Sequence, residues 1–266
     1  MNRILLAVPV VGSFLVASLV GAAESDWVWG AGTGERLQYR LDWMGVPSGR
    51  ATTQMKSGPG HDYTVETTFS TLGAARLFRV IDDRITVEGH RQESNFTTHR
   101  YVKDQHRGDQ KWQFSYQFDR EMRQVLRLYQ HPEEPQGKTA IPLGTDDVID
   151  PLSLFYAVRG WPELLPNHTL ERQVVDGEKV FCLTFAIGGS RLLHTALGNF
   201  QVFPLRMTVE NSESLRQRGP IVLWLTDDHR RIPVQVEAQI AIGSVVAELV
   251  AFDDGRGESR QEKENP

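Results

Sequence analysis

The chain has 266 residues, a formal net charge of −5, 40% hydrophobic residues and one cysteine. Mild acidity without a basic stripe interleaved with aromatics argues against nucleic-acid binding. A single cysteine excludes an intramolecular disulfide and zinc sites built on several cysteines, while the length suffices for a large unstapled core.

Met1–Ala23 has the three parts of a secretory leader: Arg3 as the positive region, Ile4–Val20 as the apolar run, and Gly21-Ala22-Ala23 as a small-residue cleavage region. Cleavage after Ala23 is preferred over Ala22. The competing reading, an uncleaved anchor, rests on the run being near spanning length. The expectation is an exported chain with no stable membrane span after cleavage. Glu24–Thr33, with Trp27 and Trp29, reads as a tether, and the ordered domain is expected from Gly34.

Arg36–Trp43 alternates, with Leu37, Tyr39, Leu41 and Trp43 on one face and Arg36, Gln38, Arg40 and Asp42 on the other, which predicts a half-buried strand. Turns at Gly45–Gly49 and Ser57–Gly60 bracket a second strand, Arg50–Lys56, and a third follows at Tyr63–Ser70. Thr71–Phe78 reads as a short apolar helical turn, then Val80–Val87 and Phe96–Val102 as strands. Lys111–Asp119 carries Trp112, Phe114, Tyr116 and Phe118 on one face, opposite Lys111, Gln113, Ser115 and Gln117. Asp119–Arg123 turns into Gln124–Tyr129, and the proline-rich stretch His131–Leu143 leads onward.

Asp147–Gly160 is the one convincing helix. Asp150 suits the N-cap and Pro151 the first helical position; Leu152, Phe155, Tyr156 and Arg159 follow at helical spacing, and Gly160 stops it. Leu154, Ala157 and Val158 leave little polar face, so the helix is expected to be enclosed by strands.

Leu170–Val175 and Glu178–Ile187 form a hairpin about Asp176-Gly177. Arg191–Thr195 and Gly198–Glu210 follow, with Pro204 at a bulge or edge. Gly219–Thr226, Arg231–Ile240 and Ser244–Phe252 complete a meander, and the polar tail 253–266 is expected to be disordered. Cys182, within Val180–Ile187, reads as a buried structural thiol. Together these elements predict a mainly β fold: one domain over 34–252, a strongly curled antiparallel sheet, barrel-like or half-barrel, around one central helix.

Three segments carry a family resemblance. They are Gly34–Tyr39 with Trp43, Gly45 and Ser48–Ala51; Asp150–Ser153 with Tyr156 and Arg159; and Trp224–Asp228 with Arg231–Val234 and Gly243–Val245. In this order they resemble the exported bacterial family called domain of unknown function 3108, over about Gly34 to Phe252. The resemblance implies a β-rich Gram-negative envelope protein located in the periplasm, and it brings no known substrate.

Chemistry-bearing residues are sparse. Asp227-Asp228-His229 could serve acid/base or metal chemistry, yet it lies between two strands, where aspartate is a common turn residue. The eight histidines include no His-Glu-x-x-His pair. Ser153 lacks a Gly-x-Ser-x-Gly elbow, and Gly30–Gly34 has no phosphate-loop Lys-Ser/Thr. Arg159, on a buried helix, needs an acidic partner, for which Asp227, Asp228 and Glu35 are candidates.

The favoured reading is a periplasmic, non-catalytic binding or scaffold protein with no cofactor and no metal. Its candidate ligand-binding residues are Tyr39, Trp43, Trp112, Phe114, Tyr116 and Arg159, on a concave sheet face suited to a lipid or other apolar small molecule. Alternatives are an envelope hydrolase using Asp227, Asp228 and His229, and a structural partner of an outer-membrane or cell-wall assembly. Whether the helix fills the concave face separates a scaffold from a pocket.

Overall fold

The computed structural model describes residues 34–131, 133–162, 164–209, 219–240, 242–255 and 257–262; residues 1–33, on which the expected leader and tether fall, and residues 263–266 lie outside the described residues. The first run of strands is β1 (Glu35–Trp43), β2 (Val46–Ser57), β3 (Asp62–Thr71), β4 (Ile81–Gln92), β5 (Asn95–Arg107), β6 (Gln110–Asp119), β7 (Gln124–His131) and β8 (Glu134–Pro142). After the central helix come β9 (Thr169–Asp176), β10 (Lys179–Ile187), β11 (Arg191–Thr195), β12 (Gly198–Val209), β13 (Ile221–Thr226), β14 (Pro233–Gln239), β15 (Ser244–Asp253) and β16 (Ser259–Gln261).

All sixteen belong to one antiparallel sheet. Its path runs from β8 back to β1, crosses to β15, and continues through β14, β13, β12 and β10 to β9; β11 pairs with β12 and β16 with β15. The expected mainly β, curled architecture is therefore present. The alternation that predicts β1 matches its burial, with Leu37, Tyr39 and Leu41 inside and Arg40 outside among Asp42, Glu248 and Glu262. Met44 and Gly45, both at positive φ, make a two-residue hairpin whose twist suits the flanking strands. Register shifts at Gln38/Tyr39 and Glu88/Gly89 bend the sheet locally.

Pro204 explains a detail of connectivity. Up to Val202, β12 pairs with β11; from Leu205 it pairs with β10. The proline lies at the handover, where its missing N–H removes no ladder bond on that edge.

The path does not close as a ladder. Its ends, β8 and β9, meet through the segment after β8: Ile149 makes a parallel bridge to Val174, donating to the Gln173 carbonyl at 3.3 Å and accepting from the Val175 N–H at 3.0 Å. Within the expected stretch Asp147–Gly160 this first segment is extended, and the helix begins at Pro151, the position that the Asp150 cap predicts. The helix spans Pro151–Ala157 and continues as a 3-10 turn, Val158–Gly160. Asp150 caps it, its Oδ1 accepting from the N–H groups of Leu152 and Ser153 at 2.8 and 2.9 Å.

All seven residues of the central helix are buried. Its side chains reach β1, β2, β3 and β5, so it fills the concave side of the sheet instead of lining one wall of an opening. Leu152, Leu154 and Phe155 each contribute about 1.5–3 kcal/mol by leaving water. That burial supports a helix too short to persist alone.

Two expectations need correction. Part of the polar tail is structured: residues 259–261 fold back as β16 onto Ala251–Asp253, and Arg230 and Arg40 bind Glu258 and Glu262 respectively. These ion pairs and the free edge of β15 offset the lack of apolar residues. Cys182 is half-buried, not enclosed, because it falls on the face of β10 opposite Leu183 and Phe185, with Sγ 4.0 Å from Glu171 Oε2. The run Val180–Ile187 looked continuously apolar, but alternation turns its thiol outward.

Candidate functional site

The interior polar residues form two groups around the helix and one across the seam. At the helix start, Thr98 on β5 donates to Asp150 Oδ2 at 2.6 Å, and the Tyr63 and Ser153 hydroxyls lie 2.6 Å apart. Burial raises the Asp150 carboxyl, while the hydrogen bonds from Ser153, Thr98 and Leu152 act the other way. Ser153 is thus part of a closed hydrogen-bonded set with no path to solvent, which suits local structure rather than nucleophilic attack.

At the helix end, Arg159 is fully buried and faces Glu35 of β1 through two bonds, Nη1 to Oε1 at 3.3 Å and Nη2 to Oε2 at 3.1 Å. Of the proposed partners, Glu35 is the one that pairs; Asp228 contributes only at longer range. Burial raises the Glu35 carboxyl and lowers the Arg159 guanidinium, and each is the main charge opposing the other's shift. Beside them the Tyr156 and Thr53 hydroxyls are 3.3 Å apart, and Thr67 donates to Thr53 at 2.8 Å. Arg231 locks the helix exit by donating to the carbonyls of Arg159 and Trp161.

The third group was not legible as a site. Lys103 on β5 is buried, pairs with Asp176 at the end of β9, and has Tyr101, Phe114 and Tyr116 rings around its ammonium at 5.5, 5.6 and 5.4 Å. Arg127 on β7 lies over Phe114 at 5.0 Å and reaches Glu178 at 2.9 Å. The expected strand Phe96–Val102 stops one residue short of Lys103, since a lysine at an inward position reads as the end of a strand. The continued alternation Tyr101, Lys103, Gln105 was the signal available.

The six candidate ligand-binding residues separate accordingly. Tyr39 is buried and donates to the Pro233 carbonyl at 3.0 Å; Tyr116 is buried in the Lys103 cage; Arg159 belongs to the Glu35 pair. Trp43, Trp112 and Phe114 are half-buried. Trp43 Nε1 donates to the Ile242 carbonyl at 2.8 Å, Trp112 stacks on His131 with centroids 5.5 Å apart, and Phe114 contacts Tyr129 at 5.2 Å. They do not converge on one cavity.

Asp227-Asp228-His229 is a turn. Asp228 accepts from the Thr226 hydroxyl and from the N–H groups of Arg230 and Arg231, and its carboxylate pairs with the Arg230 guanidinium. Burial works to raise its carboxyl, but these donors hold it below the usual range. Asp227 and His229 are exposed. Among the described residues no three of His, Cys, Asp and Glu gather as a metal-binding set. An open groove of about 450 Å³ beside the β6–β7 turn is lined by Phe118, Arg120, Glu121 and Leu126, and Arg120 there is engaged with the Asp146 and Val148 carbonyls.

Comparison with solved structures finds similar chains. One is the crystal structure of a beta-barrel-like protein of domain of unknown function DUF1849 from Brucella abortus: TM-score 0.56, 15% identity, covering 83% of this chain and 97% of that one. Another is the hypothetical protein CT021 from Chlamydia trachomatis, with TM-score 0.36, 10% identity, and coverage of 86% and 93%. No curated protein is similar to the chain in sequence. The Brucella likeness agrees with the barrel-like curl of the sheet. A family model described as "Protein of unknown function (DUF3108)" matches residues 38–250, and the chain belongs to that family.

Proposed function

We propose that this protein is an exported, non-catalytic scaffold of the cell envelope that acts through its outer surface. The observation that carries the reading is the central helix: all seven of its residues are buried inside the curled sheet. Its capping carboxylate and terminal guanidinium are spent on the protein's own Thr98 and Glu35. A concave face occupied by its own helix leaves the interior as packing, and with it Tyr39, Tyr116 and Arg159. The leader pattern of Met1–Ala23 supports export to the periplasm.

The test has two arms. N-terminal sequencing of protein recovered from fractionated cells should find it in the periplasmic fraction, beginning at Glu24. Organic extraction of the purified protein followed by mass spectrometry should yield no stoichiometric lipid. A co-purifying acyl chain would overturn the scaffold reading in favour of an apolar-ligand carrier.

A further inference from the structure

A solid body with a filled interior acts through what it displays, and its exposed apolar side chains are unevenly distributed. Eight large hydrophobic residues among those described are exposed, and five of them, Leu77 (87%), Ile242 (68%), Met44 (63%), Val46 (58%) and Leu72 (37%), lie at one end of the sheet, while Met122, Leu165 and Leu192 lie elsewhere. Strand register places them there together. Trp43 pairs with Val46 on one side and Val245 on the other, Trp43 Nε1 binds the Ile242 carbonyl, and Met44 N–H binds the Ser244 carbonyl. Leu72 N–H binds the Ser48 carbonyl, and Leu77 follows on the short helix Ala75–Phe78.

We propose that this rim is a docking surface for an anionic lipid bilayer. Three features favour that occupant. First, the apolar residues project from turns at Gly45, Gly73 and Gly243, each glycine at positive φ, with Met44 packed on Gly243, so they form a fringe of turn tips along the sheet end instead of one flat strand face. Tips of this kind enter the headgroup region without spanning it. Second, cations stand beside them: Arg79 is exposed directly after the Leu77 helix, and the adjoining β5–β6 turn, tied to it by Gly108 N–H on the Val80 carbonyl, adds Lys111 against Asp109. Such charges attract an anionic surface. Third, Trp43 lies half-buried beneath the tips with its indole N–H satisfied, the amphipathic placement that tryptophan takes at an interface. The outward faces of the strands, such as Arg36, Gln38, Arg40 and Asp42 or Lys111, Gln113 and Gln117, are polar, so contact is confined to the rim.

The exported protein, beginning at Glu24, is mixed with vesicles of phosphatidylethanolamine and phosphatidylglycerol and floated on a density gradient. Wild type is expected to float with the vesicles. Leu77→Asp/Ile242→Asp should lower the bound fraction about tenfold with unchanged melting, whereas Met122→Asp/Leu192→Asp, at exposed apolar positions elsewhere, should leave it intact. The proposal is overturned if wild type stays at the bottom, if the rim variant floats undiminished, or if both pairs lose binding equally. It is also overturned if sedimentation without vesicles finds a concentration-dependent dimer that the rim substitutions disperse, which would make the rim a self-association face. Lipid extracted from wild type but not from Leu77→Asp/Ile242→Asp protein comes from the rim, whereas stoichiometric lipid retained by that variant comes from the interior, so failure here is distinguishable from failure of the scaffold reading.

Discussion

Lys103 and Asp176, 73 residues apart in the chain, form a buried ion pair that joins β9, one end of the strand path, to β5, three strands in from the other end. One comes from β5 and the other closes β9, strands that share no ladder. With Arg127–Glu178 and the Ile149 bridge, this pair draws the open sheet into a barrel-like body. Burial by itself would lower the Lys103 ammonium; the Asp176 carboxylate, together with Tyr116, more than offsets this, so its pKa stands above the ordinary lysine range.

A prediction about pH follows from those opposing causes. In wild type the raised lysine stabilises the fold fully below its unfolded pKa and loses that contribution only as pH climbs through the folded value, so stability from this pair is level across neutral pH. Asp176→Asn leaves the ammonium buried and uncompensated, costing about 3–5 kcal/mol. Burial then dominates and depresses the lysine, so the variant's stability should rise between pH 7 and 10. Urea unfolding at a series of pH values checks both the loss and the sign of the slope.

Arg159→Met should cost about 3–5 kcal/mol, because it leaves the Glu35 carboxylate buried without its partner. Adding Glu35→Leu should recover most of that loss, since two apolar groups no longer need hydration. Denaturant melts of the single and double variants decide whether the pair is structural. Failure of the double variant to recover would indicate a further polar demand at the site.

Gly89→Ala tests the packing beneath the helix start. A Cβ there would sit 2.3 Å from the Thr97 carbonyl oxygen and 2.6 Å from the Tyr63 hydroxyl, the group that contacts Ser153. The backbone neighbour cannot rotate away, so destabilisation of about 1–3 kcal/mol is expected, read as a lowered melting temperature. A thermally unchanged variant would mean that β4 and β5 can separate at their bulge.

The acidic turn discriminates structure from chemistry. Asp228→Ala should cost about 1–2 kcal/mol through lost turn hydrogen bonds. Asp227→Asn, at an exposed position, should stay within about 0.5 kcal/mol. Because the Asp228 carboxyl is held below its usual range, its contribution is present above the unfolded pKa and lost as pH falls through the folded one. Acid titration of the two variants against wild type measures this.

Local rules were enough for the parts that depend on neighbours in sequence. Alternation put Leu37, Tyr39 and Leu41 inside, Asp150-Pro151 marked the helix start, and Asp176-Gly177 placed a hairpin, because side-chain period, capping and turn chemistry act over a few residues. The same rules misjudged residues whose partners are distant. Lys103 looked like the end of a strand, and Ser259–Gln261 looked like a loose tail.

A period of two says which face a residue takes but not which strand will lie beside it. Tertiary structure alone set β1 against β15, brought Asp176 to Lys103 and chose Glu35 over Asp227 and Asp228 for Arg159. The physical reason is the cost of burying charge. An inward lysine or arginine is tolerated only where the curl of the whole sheet delivers a counter-charge, and that delivery is a property of the curled body, absent from any single stretch of the chain.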